Sequence, residues 1–355
     1  MITKIKTLSL INIQYLRAIA ALMVVWSHAR EQVEWLKIQF PLNFGVSGVD
    51  LFFVISGFIM VYTTHDKKIS PLQFFSRRLE RIVPLYWTAT IGVVCVAMIA
   101  PALLRSTALS LPHILASLTF VPMLSPVFPD RYWPLVIPGW TLNYEMAFYL
   151  IFAMTLLTSG IWRLLSLGAA LVSIVVLGSL FSWQGILGFY SDSIVLIFLF
   201  GSCIGFLYTS GRIKKKLLLG SILSLTGIII WLFAQHYPTG NRVIDAGIPA
   251  TLIVAGFCLL PNFFKNQLKW LGMLGDASYS IYLSHVFVLA FLRNVFKKAG
   301  MQINSDASGW VYMFFNLILC AIIGWLIYTF VENFYTRRIA HWRKSSNHPP
   351  SSATT

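Results

Sequence analysis

Long apolar runs separated by short polar stretches dominate the chain, and the runs have the length of membrane-crossing helices. A helix rising about 1.5 Å per residue needs about 20 apolar residues to cross the hydrocarbon core of a bilayer. Runs of this kind predict helices at Asn12–Ala29, Val46–Thr64, Val83–Ala100, Trp140–Thr158, Ile161–Leu180, Ser193–Thr209, Leu217–Ala234, Ile244–Leu260, Ser278–Phe296 and Val311–Val331. The stretch Leu111–Phe128 is also apolar, but Pro112, Pro122 and Pro126 interrupt it. It reads as an interfacial or re-entrant piece of a long outer loop. The expected fold class is therefore all-α integral membrane, a bundle of about ten transmembrane helices. Residues 1–340 form the one transmembrane domain, and the Ser/Pro/Thr-rich residues 341–355 read as a disordered cytoplasmic tail.

Composition removes the soluble alternatives. Of the 355 residues, 57% are hydrophobic and 11% charged, whereas a soluble domain carries about 25% charged residues. Ten spans leave only short loops, with no room for a separate soluble catalytic domain. The net charge is +15, yet so little chain lies outside lipid that nucleic acid is not an expected partner. The charge fixes orientation instead. With ten spans and the N-terminus inside, 18 of the 27 Lys and Arg residues fall on the inner side and 8 on the outer. The positive-inside rule then places both termini in the cytoplasm. An eleventh span would put Lys214, Lys215 and Lys216 outside. The first thirty residues resemble a signal peptide, but Arg17 interrupts the apolar run, so a retained first helix is expected. Cys95, Cys203, Cys258 and Cys320 lie inside apolar runs with no CxxC spacing, so no disulfide and no metal site is expected.

Ionisable residues within spans are costly, and each is a functional candidate. Arg17 and His28 are eleven residues apart on the first helix. At 100° per residue they share a face to within about 20°, about 16 Å apart along the axis. They can grip an anionic group at one end and move a proton at the other; alternatively, Arg17 snorkels to the interface and His28 caps it. Arg78 and Arg81 share a helical face by their three-residue spacing. They suit phosphate, or else anchor topology beside an aromatic belt. Asp50 stands in the first turn of the second helix, where the macrodipole favours an acid, at the depth of His28. Glu145 lies about one and a half turns inside the fourth helix, with no basic neighbour in sequence. His285 lies a third to half way across the ninth helix with Tyr282 on its face, as a packing residue or as a base. No GxSxG, Walker A, HExxH or GxGxxG motif occurs.

Five motifs occur together and in order: Arg17–x10–His28, Gly48 to Phe58, Arg78–x2–Arg81 followed by Ile82-Val83-Pro84-Leu85-Tyr86-Trp87, Trp140 to Glu145, and Ser278 to His285. In these the chain resembles the acyltransferase 3 family of bacterial inner-membrane sugar O-acyltransferases, with the wording of its exopolysaccharide-production subgroup. The resemblance implies transfer of an acyl group, usually acetyl, from cytosolic acyl-CoA to a hydroxyl of a cell-surface or lipid-linked glycan. Acyl-CoA is then a co-substrate, and no permanently bound cofactor is implied. It also implies donor roles for Arg17, Arg78 and Arg81, and chemistry at His28.

On this basis His28 is the expected general base, with Asp50 or Glu145 orienting its imidazole. Asn143, Tyr282 and His285 are substrate or oxyanion candidates. The competing readings are a transporter or flippase for a lipid-linked glycan, and a membrane-bound O-acyltransferase of the other large class with His285 as base.

Overall fold

The computed structural model describes residues 10–40, 44–100, 107–262, 268–301, 303 and 306–347. Among them the regular structure is helical, with no strand. In chain order the helices are α1 Ile11–Arg30, α2 Glu34–Gln39, α3 Phe44–Thr64, α4 Pro71–Ile99, α5 Leu111–Leu118, α6 Trp140–Thr155, α7 Gly160–Leu180, α8 Gly185–Tyr190, α9 Val195–Thr209, α10 Leu217–His236, α11 Ile248–Leu259, α12 Lys269–Asp276, α13 Ser278–Lys298, α14 Asp306–Ile327 and α15 Asn333–Asn347.

Among the described residues, seven helical stretches are long and apolar enough to cross a membrane: Ser47–Thr64, Pro71–Ile99, Gly160–Leu180, Gly185–Thr209, Leu217–His236, Ser278–Lys298 and Ala307–Arg343. The other three expected spans are also helical. α1 carries Arg17, His28 and Arg30 and is too polar to qualify, α6 has 16 residues, and Val243–Leu259 is a shorter apolar helix. The polarity of α1 has a packing reason. It lies inside the bundle against α3, α12, α13 and α14, so its residues need not match lipid. α5 has eight residues and cannot span, in keeping with the interfacial reading of that stretch.

At the other end of the chain, α15 carries helix through residues 341–347, where a disordered tail is expected from sequence. Residues 348–355 lie outside the described residues. Helix continues there because α15 is held laterally: Arg343 donates to Glu80 of α4 at 2.8 Å.

Two contacts set the geometry that matters for the site. α3 and α9 cross at backbone contact, since a Cβ on Gly57 would collide with the Phe198 carbonyl and one on Gly201 with that of Val54. Small residues permit such close approach within a bilayer. α3 also packs on α1 with Gly48 opposite Ala20, Met23 and Val24, which fixes the relative depth of every side chain on the two helices.

The long connection after α4 enters the bundle before α6 begins. Leu135, Val136, Pro138 and Gly139 are buried, and the Pro138 carbonyl accepts from the Tyr282 hydroxyl of α13 at 3.0 Å. α6 therefore starts within the bundle rather than at its edge.

Candidate active site

A cavity of about 190 Å³ opens between α1, α3, α4, α6 and α13. Arg17, Arg78, Arg81, Ser56, Glu145, Tyr149 and Tyr282 contribute its polar wall. The three arginines anticipated as an anion clamp thus converge on one space. Their pairing differs. Arg78 lies over the rings of Phe74 and Tyr149, 5.2 and 5.9 Å from their centroids, and donates to Thr63 Oγ1 at 3.2 Å. Arg17 donates to Gln14 Oε1 at 3.1 Å. Among the described residues neither is ion-paired with a carboxylate. Arg81 is bound to Glu332, whose second oxygen accepts from Ser280 at 2.6 Å. Glu332 ends a π-turn, Tyr328–Glu332, that directs the carboxylate back into the bundle.

Glu145 lies at the arginine end of the site. It accepts from the Tyr149 hydroxyl, one turn along α6, and from Ser56 Oγ at 3.0 Å. Arg78 and Arg17 act on it electrostatically across the cavity. Asp276, which closes α12 ahead of the apolar span, is pushed up from its ordinary value by burial, with Arg17 and then Arg81 pulling it back.

Neither acid expected to orient His28 touches it. Asp50 is fully buried and pairs with Arg242 Nε at 3.0 Å. α3 begins at Phe44, so Asp50 is the seventh residue of the helix rather than a first-turn acid. Through the Gly48–Ala20 contact it stands level with about Ala20, roughly 12 Å below His28 at about 1.5 Å per residue. Glu145 is deeper than expected because α6 starts inside the bundle.

What meets His28 is His285. The ring centroids are 5.0 Å apart and the planes 35° from parallel. His285 is fully buried. Tyr282 joins this pair to the cavity: its ring lies 5.9 Å from His285, and it also lines the cavity wall. The Tyr282 and Thr141 hydroxyls are 2.8 Å apart, each 3.0 Å from the Pro138 oxygen. Asn143 is buried with neither amide atom partnered among the described residues. It is two residues, about 200°, from both Thr141 and Glu145 on α6, so it faces away from the cavity they line.

Sequence reasoning missed Tyr149, Ser56, Glu332 and Arg242. Tyr149 had a signal, the four-residue spacing from Glu145. Glu332 had one too, as the acid that interrupts an apolar run directly before a basic segment. Arg242 caps the π-turn Val243–Gly247 that leads into α11, and spacing within that short segment does not show that it meets α3.

A helical membrane bundle with an arginine-lined cavity beside a histidine pair defines a broad class, a membrane protein with polar chemistry buried among its helices. The chain belongs to the acyltransferase 3 family: the family's acyltransferase domain matches residues 10–329. It is therefore an acyltransferase by family. It is 36% identical over 307 residues to the exopolysaccharide production protein ExoZ of Rhizobium meliloti (strain 1021), covering 85% of this chain and 93% of that protein. It is 28% identical over 373 residues to the putative O-acetyltransferase SAR0937 of Staphylococcus aureus (strain MRSA252), covering 93% of this chain and 58% of that protein. With the O-acetyltransferase OatA of Staphylococcus aureus (strain NCTC 8325 / PS 47) it shares 25% over 365 residues, covering 89% and 55%. The chain thus spans little more than half the length of these two staphylococcal relatives. No solved structure matches.

Proposed function

We propose that the chain crosses the bacterial inner membrane ten times with both termini cytoplasmic. In this reading it moves an acyl group, acetyl first among candidates, from cytosolic acyl-CoA to a hydroxyl of a cell-surface or lipid-linked glycan. The observation that carries it is the convergence of Arg17, Arg78 and Arg81 on one cavity, two of them without a carboxylate partner. Phosphates of CoA supply the missing negative charge. Glu145 holds Tyr149 and Ser56 in the wall and limits the excess positive charge.

Arg17 and His28 lie about 16 Å apart along α1, and the thin pantetheine arm spans that interval. His28 is the general base. The acceptor O–H bond breaks and its proton passes to His28; the oxygen bonds to the thioester carbon. The C–S bond then breaks, and the CoA thiolate takes the proton from the imidazolium. No covalent enzyme intermediate is needed, because the thioester is already activated.

The test uses purified protein in nanodiscs, with acetyl-CoA as donor and surface polysaccharide from a deletion strain as acceptor. His28→Ala should lower turnover by about 10²–10⁴-fold while acetyl-CoA binding stays near wild type. Arg78→Ala should weaken that binding. An unchanged acetyl-CoA titration in Arg78→Ala, or full transfer by His28→Ala, overturns the reading.

A further inference from the structure

His28 lacks the acid expected beside it. Its Nδ1 is nevertheless buried and has no hydrogen-bond partner, and the group facing it is the His285 ring. The environment of His285 fixes its tautomer. Its Nδ1 lies 2.5 Å from the Tyr282 carbonyl oxygen. A carbonyl only accepts, so Nδ1 carries the hydrogen and Nε2 is left as a bare lone pair. That Nε2 is also buried without a partner. Two facing imidazoles thus each keep one unmatched, sealed nitrogen. Leaving a buried polar atom unpaired is costly, and a hydrogen bond between the two nitrogens would satisfy both.

We propose that His285 is the positioning residue for His28, its Nε2 accepting the His28 Nδ1–H. That contact selects the His28 tautomer whose Nε2 is free to take a proton from the acceptor hydroxyl. The inference rests on the reading of His28 as base. His285 does for it what a carboxylate does in a hydrolase triad, with a neutral group that costs less to bury than an ionised acid. The Nδ1 hydrogen stays on His28 throughout. The only proton that moves is the acceptor's, which reaches the leaving thiolate through His28 Nε2. Tyr282 supplies the carbonyl that sets the tautomer and also lines the donor cavity, so the positioning chain runs from the cavity wall to the base.

The variants His285→Leu, His285→Gln and His28→Ala, made in the full chain in nanodiscs, separate the cases. The readouts are kcat, KM for acetyl-CoA and the thermal unfolding midpoint, with the polysaccharide acceptor above. His285→Leu should lower kcat about 10–100-fold, as loss of a partner behind a working imidazole does, with KM unchanged. Its midpoint should fall only slightly, because Leu fills much of the same space while one buried hydrogen bond is lost. His285→Gln should regain part of kcat, since its amide oxygen can accept Nδ1–H. Wild-type kcat in His285→Leu overturns the proposal, and so does a kcat loss that tracks a lost midpoint equally in both His285 variants. An active His28→Ala enzyme overturns the underlying reading instead, whatever the His285 variants do.

Discussion

Asp50 and Arg242 form an ion pair that joins α3 to the segment before α11, with the carboxylate fully buried and the guanidinium 28% exposed. The Arg242 guanidinium also lies 5.5 Å from the Trp140 ring centroid at the start of α6. A single side chain thereby ties three elements together. Removing the cation leaves a buried carboxylate uncompensated, so Arg242→Ala should destabilise the protein by about 3–5 kcal/mol. Asp50→Asn added to Arg242→Ala should recover a large part of that loss. Chemical unfolding in mild detergent measures both; a single variant as stable as wild type would show that the pair is dispensable.

Arg78 and Arg81 should separate, although their sequence spacing makes them look equivalent. Arg81→Ala strands Glu332, which is 4% exposed, and should cost stability at the lower end of about 3–5 kcal/mol, because Arg81 itself is 38% exposed. Arg78→Ala strands no carboxylate and should show up in donor binding, at about 1.5–3 kcal/mol for a lost charge-assisted contact. Paired unfolding and acetyl-CoA titrations decide this, and equal stability losses in the two variants would contradict it.

The α3–α9 crossing admits no side chain at Gly57 or Gly201. Gly57→Val should force the helices apart, with loss of folded yield and of thermal stability, whereas Gly92→Val, where nothing lies within 4 Å, should be tolerated. Size-exclusion behaviour in detergent distinguishes them; matching profiles would count against the tight crossing.

Orientation is testable by cysteine labelling in a background lacking Cys95, Cys203, Cys258 and Cys320. Asp130→Cys replaces an exposed side chain and should react with a membrane-impermeant maleimide from the periplasmic side. Lys214→Cys, also exposed, should react only after the membrane is opened. The reverse pattern would invert the topology.

Much of the helix layout was legible because apolar runs of spanning length leave few choices. The depth of single residues was not. Asp50 looked like a first-turn acid because the run appears to begin at Val46, while the helix begins at Phe44. That shift, added to the register of Gly48 on Ala20, takes Asp50 away from His28. Glu145 was placed by counting from an assumed helix end at the membrane surface. The chain had already entered the bundle before Trp140, held by Tyr282 on Pro138. The arginine cluster was readable because spacing on one helix fixes a shared face. The meeting of His28 with His285 was not, because it depends on how two helices 257 positions apart in sequence are set against each other.

The contact of Pro138, Thr141 and Tyr282 also bears on bioenergetics. It stands between the cavity, whose wall Thr141 and Tyr282 line, and the histidines, whose rings are not part of that lining. Were water continuous from the cavity past the histidines, ions could short-circuit the membrane through every copy of the protein. An elementary charge crossing 100 mV releases about 2.3 kcal/mol, so even a rare aqueous path would drain the proton-motive force. Three side-chain and backbone oxygens, 2.8–3.0 Å from one another, stand across such a path.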